Sequence, residues 1–289
     1  MASDTNDVAR KGSPLTVVTF NCKNIATCEL VLDELLNKEK VDILLLQEHW
    51  LFDCNLGRLN EISDAYMGQC KAVDTDDPIL TTQMPRGYGG TAVLWKKQIN
   101  HLVTALQDGG NRIQCVEVKG HEPILFVSVY MPCKGLSDNL EDFGDCVDQL
   151  NEIVLKYQAT HKVIIGGDLN EDINAKPLSR RGQIFQDFVK ECSFVSVETE
   201  LTYVNPNGVE VSTIDHIIYD SRLAGKVISV ARLDCVITNV SDHYPVMCRL
   251  SCVLNYVEST DSKSMSKSSK INWAKVDKDL YKVLLAEKL

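Results

Sequence analysis

The sequence predicts a layered α/β domain built on mixed β-sheets, and three features carry that expectation. Short apolar runs rich in Val, Ile and Leu recur along the chain, as strands buried on both faces require. Amphipathic helical stretches separate some of these runs but not all, so the strict alternation of a parallel α/β fold is absent. With 289 residues, 44% apolar and 24% charged, the chain has material for one large core plus tails.

Residues 1–13 are small, polar and mixed in charge, which predicts a flexible N-terminus. The first strand is read at "PLTVVTFN". Ile25, Cys28, Val31, Leu32, Leu35 and Leu36 then recur at helical spacing, and "VDILLLQE" follows as a second strand, a β-α-β opening. Further strands are read at "GTAVLW", "IQCVEVKG" and "ILFVSVYMP". Leu140, Phe143, Val147, Leu150, Val154 and Tyr157 mark a long amphipathic helix that leads into "KVIIGGDLN". A helix around "GQIFQDFVKEC" and strands at "STIDHIIYD", "VISVARLD" and "HYPVMCRLSCVL" close a domain assigned to residues 14–254. Residues 255–289 open with the Ser/Lys-rich "VESTDSKSMSKSSK", a linker composition. They end in "INWAKVDKDLYKVLLAEKL", where Trp273, Val276, Leu280, Val283 and Leu284 fit a short helix. No internal repeat is visible in the sequence.

The formal charge of −10 argues against a protein that coats nucleic-acid phosphates, whose affinity comes from many Lys and Arg contacts. Action on phosphates then needs a bound cation or a local basic patch. No apolar segment follows a basic start and no run reaches membrane-spanning length, so the expected place is nucleus or cytoplasm, neither secreted nor in a membrane. The eleven cysteines lack any C-x-x-C pair and read as reduced, mostly buried thiols.

Polar residues gather where the apolar strands end. Asp168 and Asn170 are two apart and share a face if the strand persists through "GGDLN"; the same Gly, Asp and Asn also suit a turn. Gly166 and Gly167 would let another chain or a ligand approach closely. Asn21, Glu48, Asp215 and the "SDHYP" segment end or begin other strands in the same manner, which suggests one convergent polar site. Glu48, Asp168, Asn170 and Asp242 offer hard oxygen ligands that suit Mg²⁺ or Mn²⁺ rather than zinc. His243 is the acid–base candidate of the set. His49 and His216 adjoin site residues, but alternation turns them to the opposite face and into structural roles.

The ordered motifs "TFN", "LLLQE", "SVYMP", "GGDLN", "TIDHI" and "SDHYP" resemble those of the endonuclease/exonuclease/phosphatase superfamily, over roughly residues 15–254. That resemblance implies a four-layer sandwich of two mixed β-sheets flanked by helices. "LLQEHWL", "RGYGGTAVLW" and "LTYVNPNGVEVSTIDHIIYD" are similar to the apurinic/apyrimidinic-type endonuclease domain of non-LTR retrotransposons. The tail "INWAKVDKDLY" is similar to the segment that precedes the reverse transcriptase in such polyproteins.

The resemblance implies a metal-dependent DNA endonuclease that nicks phosphodiester bonds; a monomeric domain is expected, and its origin stays open between a piece of such an element, once fused to a reverse transcriptase, and a gene captured by a host. Glu48 with Asn21 would hold Mg²⁺ or Mn²⁺ against the scissile phosphate. Asp168 would orient and activate water, with Asn170 touching the same phosphate. Tyr130 would hydrogen-bond a phosphate oxygen, and His243 would contact the phosphate while Asp215 fixes its ring. Asp242 would complete the acidic rim or a second metal position. Thr202 matches the family's threonine or serine near the substrate strand. Lys23, Arg86, Lys134, Arg180 and Arg181 fall in loops near these motifs and would supply the cationic rim for a DNA backbone. Two other classes remain: a phosphatase or phosphodiesterase for a phospholipid or inositol phosphate, and a non-catalytic interaction protein on a nuclease fold.

Overall fold

The computed structural model describes residues 14–76, 78, 88–120, 122–134, 140–234, 238–252 and 254. The expected N-terminus, the linker and helix at 255–289, and Arg86 in the "RGYGG" loop lie outside the described residues.

Two six-stranded sheets form the centre. The first has the order β13 (Val227–Arg232), β14 (Val246–Leu250), β1 (Leu15–Asn21), β2 (Ile43–Gln47), β4 (Thr91–Lys96), β3 (Tyr66–Lys71). The second has β5 (Val103–Ala105), β6 (Ile113–Val118), β7 (Ile124–Tyr130), β8 (Lys162–Asp168), β12 (Asp215–Asp220), β9 (Phe194–Ser196). A hairpin of β10 (Tyr203–Val204) and β11 (Glu210–Ser212) stands apart. The two sheets repeat one topology without repeating sequence. In each, a parallel pair is joined through a helix: β1 and β2 by α1 (Ile25–Lys38), β7 and β8 by α2 (Leu140–Tyr157). Antiparallel strands flank both pairs, which makes the sheets mixed.

Alternation along the strands sorts the core into three apolar layers. Val17, Ile43, Leu45, Phe126, Ile164 and Ile217 pack between the sheets. Their neighbours Val18, Phe20, Leu44 and Leu46 meet Cys28, Leu32 and Leu35 of α1 on one outer face. Leu125, Val127, Val163 and Ile165 meet α2 and α3 (Arg180–Glu191) on the other. The result is the four-layer α/β sandwich. Helix ends follow their capping residues: Asn24 accepts from the Ala26 N–H and starts α1, and Ser179 accepts from the Gly182 N–H and starts α3.

The sheets approach closely at one end, and Gly166 permits it, since a Cβ there would stand 2.7 Å from Leu45 Cδ1 of the other sheet. Gly167 serves its own sheet: a Cβ would stand 1.9 Å from the carbonyl oxygen of Val129, its partner on β7. Beneath this end a polar seam crosses the core. Gln47 donates to Ser128 Oγ at 2.9 Å, Ser128 donates to the Leu46 carbonyl, and Thr19 donates to Gln47 Oε1.

Candidate active site

The alternation that builds the inter-sheet core also aims the polar strand ends. Asn21, Gln47, Tyr130, Asp168 and Asp215 each lie an even number of residues from an inter-sheet apolar residue on the same strand, so all five project between the sheets. Glu48 has the wrong parity. Its backbone adopts φ 55, in the left-handed region that a non-glycine residue seldom enters, and this turn carries its carboxylate back to the cluster.

Asn21 joins the two halves. Its amide nitrogen donates to Glu48 Oε1 at 2.8 Å and to Asp168 Oδ2 at 2.9 Å, while its oxygen accepts from the Lys23 N–H at 3.1 Å. The amide thus separates two carboxylates and presents its donor, not its acceptor, to them. Asn21 therefore spaces and orients Glu48 and Asp168 in this arrangement. Trp50 Nε1 donates to the other oxygen of Glu48 at 2.9 Å, and Tyr130 shares a side-chain hydrogen bond with Glu48. Burial, followed by the charges of Glu48 and Asp168, pushes the Tyr130 hydroxyl well above its ordinary range, so it is a donor at any working pH.

The strand does not persist through "GGDLN". β8 stops at Asp168, and Asn170 sits at φ 49 with its N–H on Asp168 Oδ1 at 2.8 Å. The turn reading is right for the backbone, and Asn170 still lines the same cleft because its amide nitrogen is anchored on the Met131 carbonyl at 2.8 Å.

His243 Nδ1 donates to Asp215 Oδ2 at 2.9 Å, leaving Nε2 3.9 Å from Asp168 and 3.8 Å from Asp242, too far for a hydrogen bond to either. Burial alone lowers the imidazole's pKa, but the carboxylates of Asp215 and Asp168 outweigh it and raise His243 to about 10. Asp168, fully buried, moves up to about 7 through desolvation; His243 opposes the shift and Asp215 adds to it. Ser241 Oγ donates to the Asn21 carbonyl and accepts from the His243 N–H, tying the histidine loop to β1.

These groups open onto a cleft of about 510 Å³ lined by Lys23, Glu48, Tyr130, Lys134, Asp168, Asn170, Asp242 and His243 among others. Two expectations fail here. Thr202 is fully buried; its hydroxyl accepts from the backbone N–H groups of Ile214 and Asp215, both at 3.0 Å, so it positions Asp215 rather than touching substrate. Arg181 is 1% exposed, donates to the Pro132 carbonyl at 2.8 Å and lies over the Phe143 ring, which removes it from any DNA-facing rim. Arg180 is exposed at the start of α3. Lys134 pairs with Glu171 at 2.8 Å, and Lys23 with Asp242. His49 and His216 are buried, bonded to the carbonyls of Lys71 and Thr213. Sequence reading missed the Gln47–Ser128 seam and Trp50; a glutamine and a serine inside otherwise apolar strands were the available signal.

The donor set fits a hard divalent cation. Among the described residues Glu48 receives neutral donors, from Asn21, Trp50 and Tyr130, and no cation in hydrogen-bond contact. Asp168, Asp215 and His243 also converge, with ligand atoms within 4.8 Å, but the His243–Asp215 hydrogen bond already accounts for two of the three.

The Endonuclease/Exonuclease/phosphatase family model matches residues 18–243, spanning all of these strand ends. The chain belongs to this family. Membership makes it a hydrolase of the nuclease and phosphatase kind. Among solved structures, the AP endonuclease of Archaeoglobus fulgidus is similar at 16% identity and a TM-score of 0.65, covering 82% of this chain and 100% of that one. The endonuclease domain of TRAS1, a telomere-specific non-LTR retrotransposon, is similar at 16% identity and TM-score 0.61, covering 82% and 98%. A 3′ phosphatase from Neisseria, bound to product DNA hairpin, is similar at 17% identity and TM-score 0.62, covering 82% and 99%. No curated protein matches the sequence. No helix among the described residues is long and apolar enough to cross a membrane.

Proposed function

We propose that this family member is an endonuclease that hydrolyses phosphodiester bonds of DNA with a divalent cation, Mg²⁺ or Mn²⁺, in the nicking manner of retrotransposon endonucleases. The observation that carries the reading is the Asn21 bridge, which holds Glu48 and Asp168 side by side opposite an oriented His243.

A cation at Glu48 would supply Lewis-acid polarisation of a phosphate oxygen and charge neutralisation. Asp168 accepts a proton from the attacking water as the new P–O bond forms and the opposite P–O bond to the sugar breaks. His243, a cation at neutral pH, offers its Nε2–H to a phosphate oxygen, Asn170 offers the second N–H of its amide, and Tyr130 would exchange its Glu48 partner for the phosphate when substrate binds. Asp215 keeps the imidazole in that orientation. Exposed Arg180 would meet a flanking phosphate, while Lys23 and Lys134, paired with Asp242 and Glu171, would soften the acidity of the cleft toward a polyanion, as the net charge of −10 requires.

A second reading, a phosphomonoesterase, draws support from the Neisseria structure named as a 3′ phosphatase. A labelled duplex carrying both an internal phosphodiester and a 3′-terminal phosphate separates the two in one reaction with Mg²⁺. Internal cleavage products support the endonuclease; phosphate release with an intact strand would replace it with the second reading.

A further inference from the structure

The two acidic corners of the cleft are balanced differently. At one, Glu48 meets, among the described residues, neutral donors alone, from Asn21, Trp50 and Tyr130. At the other, Asp242 Oδ2 already carries the ammonium of Lys23, 219 residues away in sequence. The Lys23 side chain is half exposed, but the backbone that launches it is held in an uncommon conformation. Lys23 and Asn24 both adopt positive φ, 45 and 94, conformations that cost free energy at non-glycine residues. They are held there by the Lys23 N–H on Asn21 Oδ1 at 3.1 Å and the Asn24 N–H on the Glu48 carbonyl at 2.8 Å. The same turn therefore fixes Asn21 between the carboxylates and sends the Lys23 side chain to Asp242.

We infer that Lys23 serves as a built-in cation at Asp242, so that the cleft takes a single divalent ion, at Glu48, and the chain itself provides the second positive charge. With the ammonium on Oδ2 and His243 Nε2 3.8 Å from the buried, otherwise unpartnered Oδ1, Asp242 gains less than Glu48 from a divalent ion, which must shed tightly held water to bind. Glu48 has no such partner and keeps its full attraction for a cation. The inference rests on the divalent-ion reading above and deepens it: Asp242, otherwise a candidate for a second metal position, is assigned to charge balance beside His243. Lys134 pairs with Glu171, another cleft carboxylate, in the same way.

The test needs no substrate. Mn²⁺ alone is titrated into the full chain, with bound ion counted by calorimetry and by the loss of the free-ion paramagnetic resonance signal. The wild type should bind one Mn²⁺, Glu48→Ala none, and Lys23→Ala two, the second more weakly. Lys23→Arg, which keeps the charge, should stay at one, and Lys23→Ala combined with Asp242→Ala should return to one. Two ions on the wild type, or an unchanged single ion on Lys23→Ala, would overturn the inference while leaving the divalent-ion reading intact. No Mn²⁺ bound to the wild type would overturn both.

Discussion

His243 and Asp215 share one hydrogen bond, Nδ1 to Oδ2 at 2.9 Å, at a depth where the ring is 6% and the carboxylate 0% exposed. The bond decides which ring nitrogen faces the cleft. Asp215→Asn keeps the shape but removes the charge that holds the imidazolium, so kcat should fall on the order of 10²-fold or more with KM changed little. Steady-state kinetics of plasmid nicking measures this; a kcat within a few-fold of wild type would remove Asp215 from its positioning role.

The pH profile follows from the same pair and Asp168. Asp168 must be deprotonated to accept a proton, and its pKa is raised to about 7, so kcat/KM should climb as pH rises through that region. His243 must be protonated to donate, and its pKa is raised to about 10, so the rate should fall again on the alkaline side. His243→Gln should abolish the alkaline limb of whatever activity is left. A profile flat from pH 6 to 10 would contradict both assignments.

Stability carries a separate signature of His243. Its folded pKa lies above the ordinary 6.5, so the imidazolium's contribution is complete below 6.5 and is lost as pH rises toward about 10. Urea denaturation of the wild type should show stability declining across that window, and His243→Gln should flatten the decline.

Much of the site was readable from strand ends, because period-two alternation fixes both the core face and the direction of Asn21, Tyr130, Asp168 and Asp215. Other parts had no such period. Glu48 was legible as a strand-end carboxylate, but the left-handed backbone turn that carries it to the cluster is not announced by residue identity. Thr202 and Arg181 carry polar side chains in polar surroundings of sequence, and only the packing of the hairpin against β12, or of α3 against α2, shows them buried. The topological repeat of the two sheets was invisible because the halves share connectivity but no residue pattern. Short strands such as β9 and β10 were missed because two or three residues cannot display alternation.

Thr202 tests the difference between positioning and contact. Thr202→Val keeps the volume but strips the acceptor from two backbone N–H groups, which should cost about 1–3 kcal/mol for each group left unpaired in the core. A lowered Tm together with reduced kcat at nearly constant KM is expected; unchanged Tm with raised KM would restore a substrate contact.

Adjacent arginines should separate cleanly. Arg180→Ala, at an exposed site, should leave Tm unchanged and reduce the slope of log affinity against log salt by about one phosphate contact. Arg181→Ala, buried over Phe143, should instead destabilise the fold and leave that slope alone. Fluorescence anisotropy with labelled duplex across a salt series, beside thermal unfolding, reads both.

Glu48, Asp168 and His243, with a divalent cation, are the groups proposed to hydrolyse a DNA phosphodiester. Conversion of supercoiled plasmid to the open circle, followed with Mg²⁺, with EDTA, and with Glu48→Ala in Mg²⁺, tests this assignment most directly. Nicking by the wild type in Mg²⁺ alone, absent with EDTA and absent from a folded Glu48→Ala protein, is the predicted result. Undiminished nicking by Glu48→Ala, or no nicking by the wild type at low salt with either Mg²⁺ or Mn²⁺, would contradict it.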